Sequence, residues 1–351
     1  MSRRTLATVV VACLLLVLGG AAVLLPVPYV TMSPGPTVDV LGQSGNRPII
    51  DVRGHRTYPT RGDLRLVTVS VTNPTHRIGL AETLRAWLDR TRAVYPRDVI
   101  YPPDQSAQSV QQESTVEMVR SQDTAIAAAL TELGYHLPLQ TEIVAVTKGS
   151  PADGKLQVRD RIQSINGIRV RDPNKVSALV QRSGVGKPAT FVVRRGSSTK
   201  RLRITPQASS ADPKRAVVGV QIGTGYDFPF DVSVRLAQDI GGPSAGLMFS
   251  LGVYDTLTPG SLTSGTDVAG TGTIDEHGRV GSIGGIQQKI VGALDAGAKI
   301  FFVPPANCQS ALHADVRKDQ IRLVKAPTMH SAVQSLRAYA RNKDAKLPAC
   351  G

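Results

Sequence analysis

A serine framed by small residues, Gly242-Pro243-Ser244-Ala245-Gly246, lies 45 residues before Lys289, which follows Gly284-Gly285-Ile286 at the head of an apolar-faced segment. The pair offers a nucleophile and a base. A serine hydroxyl attacks a carbonyl at neutral pH only when a neighbour takes its proton, and a lysine takes it only when burial makes the amine neutral. Helical spacing points to such burial, because Ile286, Ile290, Ala293, Leu294 and Gly297 recur at three- and four-residue steps and Lys289 borders their stripe. The same spacing also describes a lysine whose stem packs while its ammonium stays in water. Around Ser244, Pro243 suits the first turn of a helix, and Gly242, Ala245 and Gly246 would leave room for a substrate backbone. The N–H groups of that turn would face a developing oxyanion. A plain turn entering a helix has the same composition.

The run from Gly270 to Asn307, GTGTIDEHGRVGSIGGIQQKIVGALDAGAKIFFVPPAN, resembles the proteolytic domain of Lon-type serine proteases. The resemblance covers about residues 210 to 340 and implies that Ser244 and Lys289 are that family's catalytic dyad. It further implies that Thr271 holds the lysine and that Asp239 occupies an acidic position upstream of the serine. The activity implied is serine endopeptidase action on polypeptide substrates, with no metal and no cofactor. Lon proteases usually carry an ATPase module, yet no Gly-x-x-x-x-Gly-Lys-Ser/Thr loop occurs in the sequence. Activity is therefore expected to be independent of ATP and directed at chains that are already unfolded, extended or loosely anchored. Related proteolytic domains assemble as rings, so a homo-oligomer is compatible with the resemblance. Two competing readings are a hydrolase triad of Ser244 with His313 or His330, and a non-catalytic adaptor at the membrane.

Residues 142 to 195 resemble a bacterial PDZ domain. Ile143, Val144 and Val146 read as a strand, Ile162, Ile165 and Val170 as core, and Asn166-Gly167 as a turn between strands. Val176 to Arg182 reads as the helix beside a peptide groove, and Phe191 to Arg194 as a closing strand. Such domains add a peptide's C-terminal strand to a sheet edge and hold its carboxylate in backbone amides. Gly134-Tyr135-His136-Leu137 is the loose candidate for that carboxylate loop.

Thr5 to Leu25 is a run of 21 uncharged, mostly apolar residues, enough to cross a hydrocarbon core. Arg3 and Arg4 precede it and no basic residue follows until Arg47, which predicts a single-pass anchor with a cytoplasmic tail and an extracytoplasmic catalytic domain. A cleaved signal peptide is the competing reading. Outside the span only Cys308 and Cys350 remain, an even number that predicts a disulfide in an oxidising compartment. The formal net charge is +14, and residues 141 to 205 hold 14 Lys or Arg against 4 Asp or Glu. No nucleic-acid motif accompanies this charge, so anionic headgroups, acidic peptide ends or plain solvation account for it better than nucleic acid.

The expected fold class is therefore a multidomain α+β chain. Residues 1–4 are read as a cytoplasmic tail, 5–25 as a transmembrane helix and 26–45 as a Pro/Gly linker. Residues 46–125 are read as an accessory α+β module, with a strand over Leu64 to Val71 and helices marked by Leu80, Leu84, Trp87 and Leu88 and by Ala107 to Leu133. A PDZ-like β-sandwich or barrel follows over 126–206, then a Lon-type proteolytic α+β domain over 207–342 and a tail over 343–351. This order resembles the membrane-anchored, PDZ-containing Lon-like proteases of Gram-positive bacteria. Small membrane-anchored proteins are among the substrates it implies.

Overall fold

Alternating branched side chains make Leu64–Val71 a strand, and it runs through the middle of a six-stranded sheet. The computed structural model describes residues 3–102, 107–236, 241–317 and 319–351. Across this sheet the order is Arg322–Lys325, Ile300–Val303, Val268–Gly270, Leu64–Val71, Tyr29–Asp39 and Ala93–Pro96. The first four strands are parallel to one another, and Tyr29–Asp39 is antiparallel to both of its neighbours. The helices are α1 (Arg3–Leu24), α2 (Leu80–Leu88), α3 (Arg97–Ile100), α4 (Ala107–Glu132), α5 (Asn174–Ser183), α6 (Gly246–Leu257), α7 (Ile286–Asp295), α8 (Cys308–Ala311) and α9 (Met329–Arg341).

Both faces of the sheet are covered, as a sheet with parallel strands requires. Neighbouring strand residues point to opposite faces, so Leu66 and Phe302 join a core with Phe249 of α6, Ile126 and Leu130 of α4 and Val333 of α9. Val67 and Phe301 face the other way, onto Ile286, Ile290 and Ala293 of α7. The start of α9 is fixed by a reciprocal cap between Thr328 and Ser331.

Two expected boundaries are overturned here. The stretch taken for a Pro/Gly linker contains the strand Tyr29–Asp39, which pairs along its length with Leu64–Val71. Nor do residues 46–125 form a separate module, because Leu64, Leu66, Met118 and Ala125 share one core with Leu247 and Phe302.

A second sheet carries the strands Ser198–Ile204, Ala189–Arg195, Arg161–Ile165, Leu139–Val146 and Val220–Tyr226, in that order. Its core holds Ile143, Ile162, Ile165, Leu179 and Phe191. The Asn166-Gly167 turn has positive φ at both positions, 49° and 79°, as a tight two-residue hairpin demands. Phe191 to Arg194 does not close the unit, since Ser198–Ile204 and Val220–Tyr226 lie outside it. The unit is thus inserted between α4 and Asp231–Val234, a strand that returns to pair with Ile50–Arg53.

Cys308 and Cys350 form a disulfide, with Cα atoms 5.1 Å apart. The tail runs back along the sheet, where the Lys325 N–H donates to the Pro348 carbonyl at 2.9 Å. Cys308 packs against the core that holds α7. Closing a loop of this length stabilises a fold by about 2–4 kcal/mol. The double substitution Cys308→Ser with Cys350→Ser should lower unfolding free energy by that amount in a denaturant titration, and the same loss should appear when the unsubstituted chain is reduced.

Candidate functional site

Ser244 sits in a one-turn 3-10 helix, Pro243–Ala245, that runs directly into α6. Gly242 enters this turn with φ 86°, a conformation that favours glycine, and none of the described residues lies within 4 Å of where its Cβ would be. Among the described residues Gly242 is therefore uncrowded, as expected of a residue next to a substrate path. Ala245 and Gly246 do not. Ala245 is buried in the main core, and a Cβ on Gly246 would come within 2.9 Å of the Ile274 side chain. The small size of Gly246 serves packing against Ile274, and Ala245 lies within the core. Asp239 lies outside the described residues.

Lys289 is the fourth residue of α7 and is 2 % exposed. Its Nζ donates to Ser244 Oγ at 2.8 Å and to Thr271 Oγ1 at 3.0 Å. Neither partner carries a charge. Burial accordingly pushes the Lys289 ammonium down from its ordinary value to about 8. The packed-stem, wet-head alternative is excluded by this burial.

Thr271 ties the two halves together. Its Oγ1 donates to the Ser244 carbonyl at 3.0 Å, and the Gly272 N–H donates to the same carbonyl at 2.8 Å. The strand Val268–Gly270 delivers Thr271 from the sheet, and the Leu247 N–H bonds back to the Gly272 carbonyl at 3.1 Å. The serine turn is thus pinned from its carbonyl side.

The position of α7 depends on Gly285. This residue precedes the helix in the left-handed region, φ 67°, and a Cβ there would come within 2.8 Å of both Met32 and Val69. The strands Tyr29–Asp39 and Leu64–Val71 therefore set how deeply α7, and with it Lys289, is seated. Gly297, read as part of the helical stripe, falls beyond α7 with φ 88° and ends the turn instead.

One contact had no signal in the sequence. Ser121 of α4 donates to the Pro243 carbonyl at 3.0 Å, so a residue far upstream holds the nucleophile turn. The next two residues of α4 face the inserted unit: Gln122 accepts from Arg159 at 3.2 Å, and Asp123 pairs with Arg159 at 2.9 Å. Glu142 joins this cluster, and burial pushes its carboxyl up to about 7, with the Asp123 carboxylate adding to the shift. Arg161 and Arg194 converge on Asp227 beside it.

The histidines are elsewhere. His313 bonds the Gln309 carbonyl and His330 bonds Glu132, both at the surface. The loop Gly134-Tyr135-His136-Leu137 also takes a different role from the one expected of it. Tyr135 packs on Phe230 and His55 at the end of α4, whereas the sheet edge next to α5 is formed by Val220–Tyr226.

Residues 142–195 match the family model of the PDZ domain, and residues 236–335 match that of the Lon protease (S16) C-terminal proteolytic domain. The chain is 24% identical over 197 residues to Lon protease 2 of Bacillus subtilis, covering 52% of this chain and 34% of that protein. It is 33% identical over 134 residues to Lon protease 2 of Bdellovibrio bacteriovorus, covering 36% and 16%. It is 34% identical over 88 residues to the Lon protease of Mesomycoplasma hyopneumoniae, covering 25% and 10%. The chain thus spans between 10% and 34% of the length of these curated relatives. Among solved structures, the PDZ domain of the SdrC-like protein from Listeria monocytogenes is 17% identical, with a TM-score of 0.22, covering 24% of this chain and 86% of that one.

A lysine in water titrates near 10.4, so burial at this site has a direct signature. In a spectrum of the chain labelled with carbon-13 at the lysine ε-carbons, one resonance should titrate with a midpoint of about 8 and be absent from Lys289→Met. A Lys289 midpoint in the ordinary range would mean a hydrated ammonium and no resident base.

Proposed function

We propose that this chain is a membrane-anchored serine endopeptidase that works without ATP on extracytoplasmic or membrane-anchored unfolded polypeptides. The observation that carries the proposal is the 2.8 Å hydrogen bond between Lys289 Nζ and Ser244 Oγ, made by a buried lysine with a depressed pKa. Neutral Lys289 accepts the Ser244 proton as Oγ attacks a peptide carbonyl, and the N–H groups of the serine turn stabilise the oxyanion. Protonated Lys289 then delivers its proton to the leaving amine, and water releases the acyl-enzyme through the same base. Thr271 acts as a positioning residue, since it bonds both the lysine amine and the backbone of the nucleophile.

The cellular setting rests on three further observations. Helix α1 is long and apolar enough to cross a membrane, and its described side chains are exposed. Arg3 and Arg4 stand before the apolar run, which favours a cytoplasmic N-terminus. The Cys308–Cys350 disulfide supports an oxidising compartment for the domain that carries the dyad. The sequence holds no phosphate-binding loop, which supports independence from ATP. The PDZ unit, joined to the serine turn through α4, assists substrate capture or regulation.

The test is cleavage of an unfolded polypeptide by the purified chain. Ser244→Ala should abolish it, and Lys289→Met should reduce it by about 10²–10⁴-fold, the usual contribution of general acid–base catalysis. His313→Ala and His330→Ala should be silent, and added ATP should change nothing. Because the neutral amine is the active form, the rate should rise with pH through about 8 and level off above it. Thr271→Val removes a hydrogen bond to a charged group, worth about 1.5–3 kcal/mol, and should lower kcat/KM by about 10- to 100-fold. Full activity in Lys289→Met would overturn the mechanism. Retained cellular function in Ser244→Ala, with no cleavage by the unsubstituted chain, would favour the adaptor.

A further inference from the structure

The helical periodicity that marks α2 as amphipathic does not lead to burial. Its small residues Thr83 and Ala86 face the protein, whereas Leu84, Trp87 and Leu88, spaced three and four residues apart, are 49%, 73% and 75% exposed. A surface row of two leucines and a tryptophan is an unpartnered apolar face. Arg77, Arg85, Arg90 and Arg92 lie within or beside α2 in the sequence, against Glu82 and Asp89, and Arg92 pairs with Asp89 at 3.2 Å.

The location of this face identifies what covers it. Helix α1 spans 22 residues, a length of about 33 Å, close to the thickness of a hydrocarbon core. The chain leaves α1 at Leu24, and Pro26 already bridges to Gly79, the residue that caps α2. The Val27 N–H donates to the Ile78 carbonyl at 3.0 Å, and α1 touches α2. The start of α2 is therefore fixed within a few residues of the point where α1 ends. Exposed Leu25 continues the apolar surface from one helix toward the other.

We propose that α2 lies on the outer leaflet of the lipid bilayer, with Leu84, Trp87 and Leu88 inserted at the headgroup boundary and the flanking arginines on anionic phospholipid. Tryptophan favours this boundary because its ring is amphipathic, and short apolar faces rimmed by arginine bind there. The arginine stems pack along the apolar residues while their guanidinium groups reach phosphate. This contact gives the globular part a second point of attachment, so that it sits down on the membrane instead of swinging from a single tether. The inference rests on the reading of α1 as a retained anchor.

Trp87 is the sole tryptophan in the sequence, so its fluorescence reports on this face alone. The probe is the full chain reconstituted in vesicles of phosphatidylcholine and phosphatidylglycerol, with and without phospholipid carrying a nitroxide near the headgroup. The expected result is emission shifted to shorter wavelength relative to a water-exposed tryptophan, and loss of most of that emission with the nitroxide lipid. Leu84→Asp combined with Leu88→Asp should reverse both effects while the chain stays in the vesicle fraction and still cleaves a soluble unfolded polypeptide. A chain that is retained by vesicles but shows water-exposed, unquenched Trp87 would overturn the inference and leave the anchor standing. Shifted emission that the nitroxide lipid does not quench would mean that protein covers the face, and would overturn it as well. If alkaline extraction releases the chain from the vesicles, the anchor reading falls and the inference with it.

Discussion

Desolvation of a single amine is the constraint around which the protein is organised. A lysine whose ammonium reached water would remain protonated near neutral pH and would be useless as a base. Lys289 avoids this because α7 is drawn tightly onto the strands Tyr29–Asp39 and Leu64–Val71, and Gly285 permits the close approach to Met32 and Val69. A side chain at Gly285 would lift the helix start and admit water to the amine. The hydroxyls of Ser244 and Thr271 satisfy the buried nitrogen without supplying a counter-charge. A carboxylate at either position would hold the lysine charged, so the neutrality of the polar partners matters as much as the depth of burial.

The nucleophile turn is held from two sides with different connections to the rest of the molecule. From below, Thr271 and Gly272 grip the Ser244 carbonyl and belong to the sheet. From the side, Ser121 grips the Pro243 carbonyl and belongs to α4. One turn of α4 therefore touches the serine loop through Ser121 and the PDZ unit through Gln122 and Asp123. A rotation of α4 that altered the Arg159 pair would also alter the Ser121 bond, because a single helical turn moves as one body. This gives a physical route by which events at the inserted unit reach the nucleophile, in contrast to two domains joined by a flexible tether.

The burial of Lys289 was largely legible in the sequence, because the features that bury it are local. Helical spacing from Ile286 to Ala293 placed it on a packed face, and Gly284-Gly285 marked the sharp entry. The two hydroxyl contacts required a resemblance spanning many residues, since no local pattern relates Thr271 to Ser244. Sequence reasoning failed where chemistry was dictated by distant partners. Pro34-Gly35-Pro36 read as spacer, yet it is a bulge that interrupts a strand whose alternation shows as Val30 and Met32 before it and Val38 after it. Ala245 and Gly246 read as substrate clearance, but Gly246 packs closely on Ile274 and Ala245 is buried in the core. Leu84, Trp87 and Leu88 marked a helix with one apolar face, but periodicity reports amphipathicity and is silent on whether the apolar side meets protein or lipid.

The misread strand matters most for how the molecule is attached. Only Leu25 to Pro28 separate α1 from Tyr29–Asp39, and that strand is a full member of the sheet against which α7 packs. A Pro/Gly linker would have let the catalytic domain range over a wide volume, since a flexible chain explores a distance that grows with the square root of its length. Here the path from the end of α1 to Lys289 runs through one ordered strand and one helix. With α1 in a bilayer, Ser244 and Lys289 would be held at a fixed height above the surface. On the proposed function, substrates would then be selected by whether an unfolded segment lies at that height, a geometric criterion independent of a long recognition sequence.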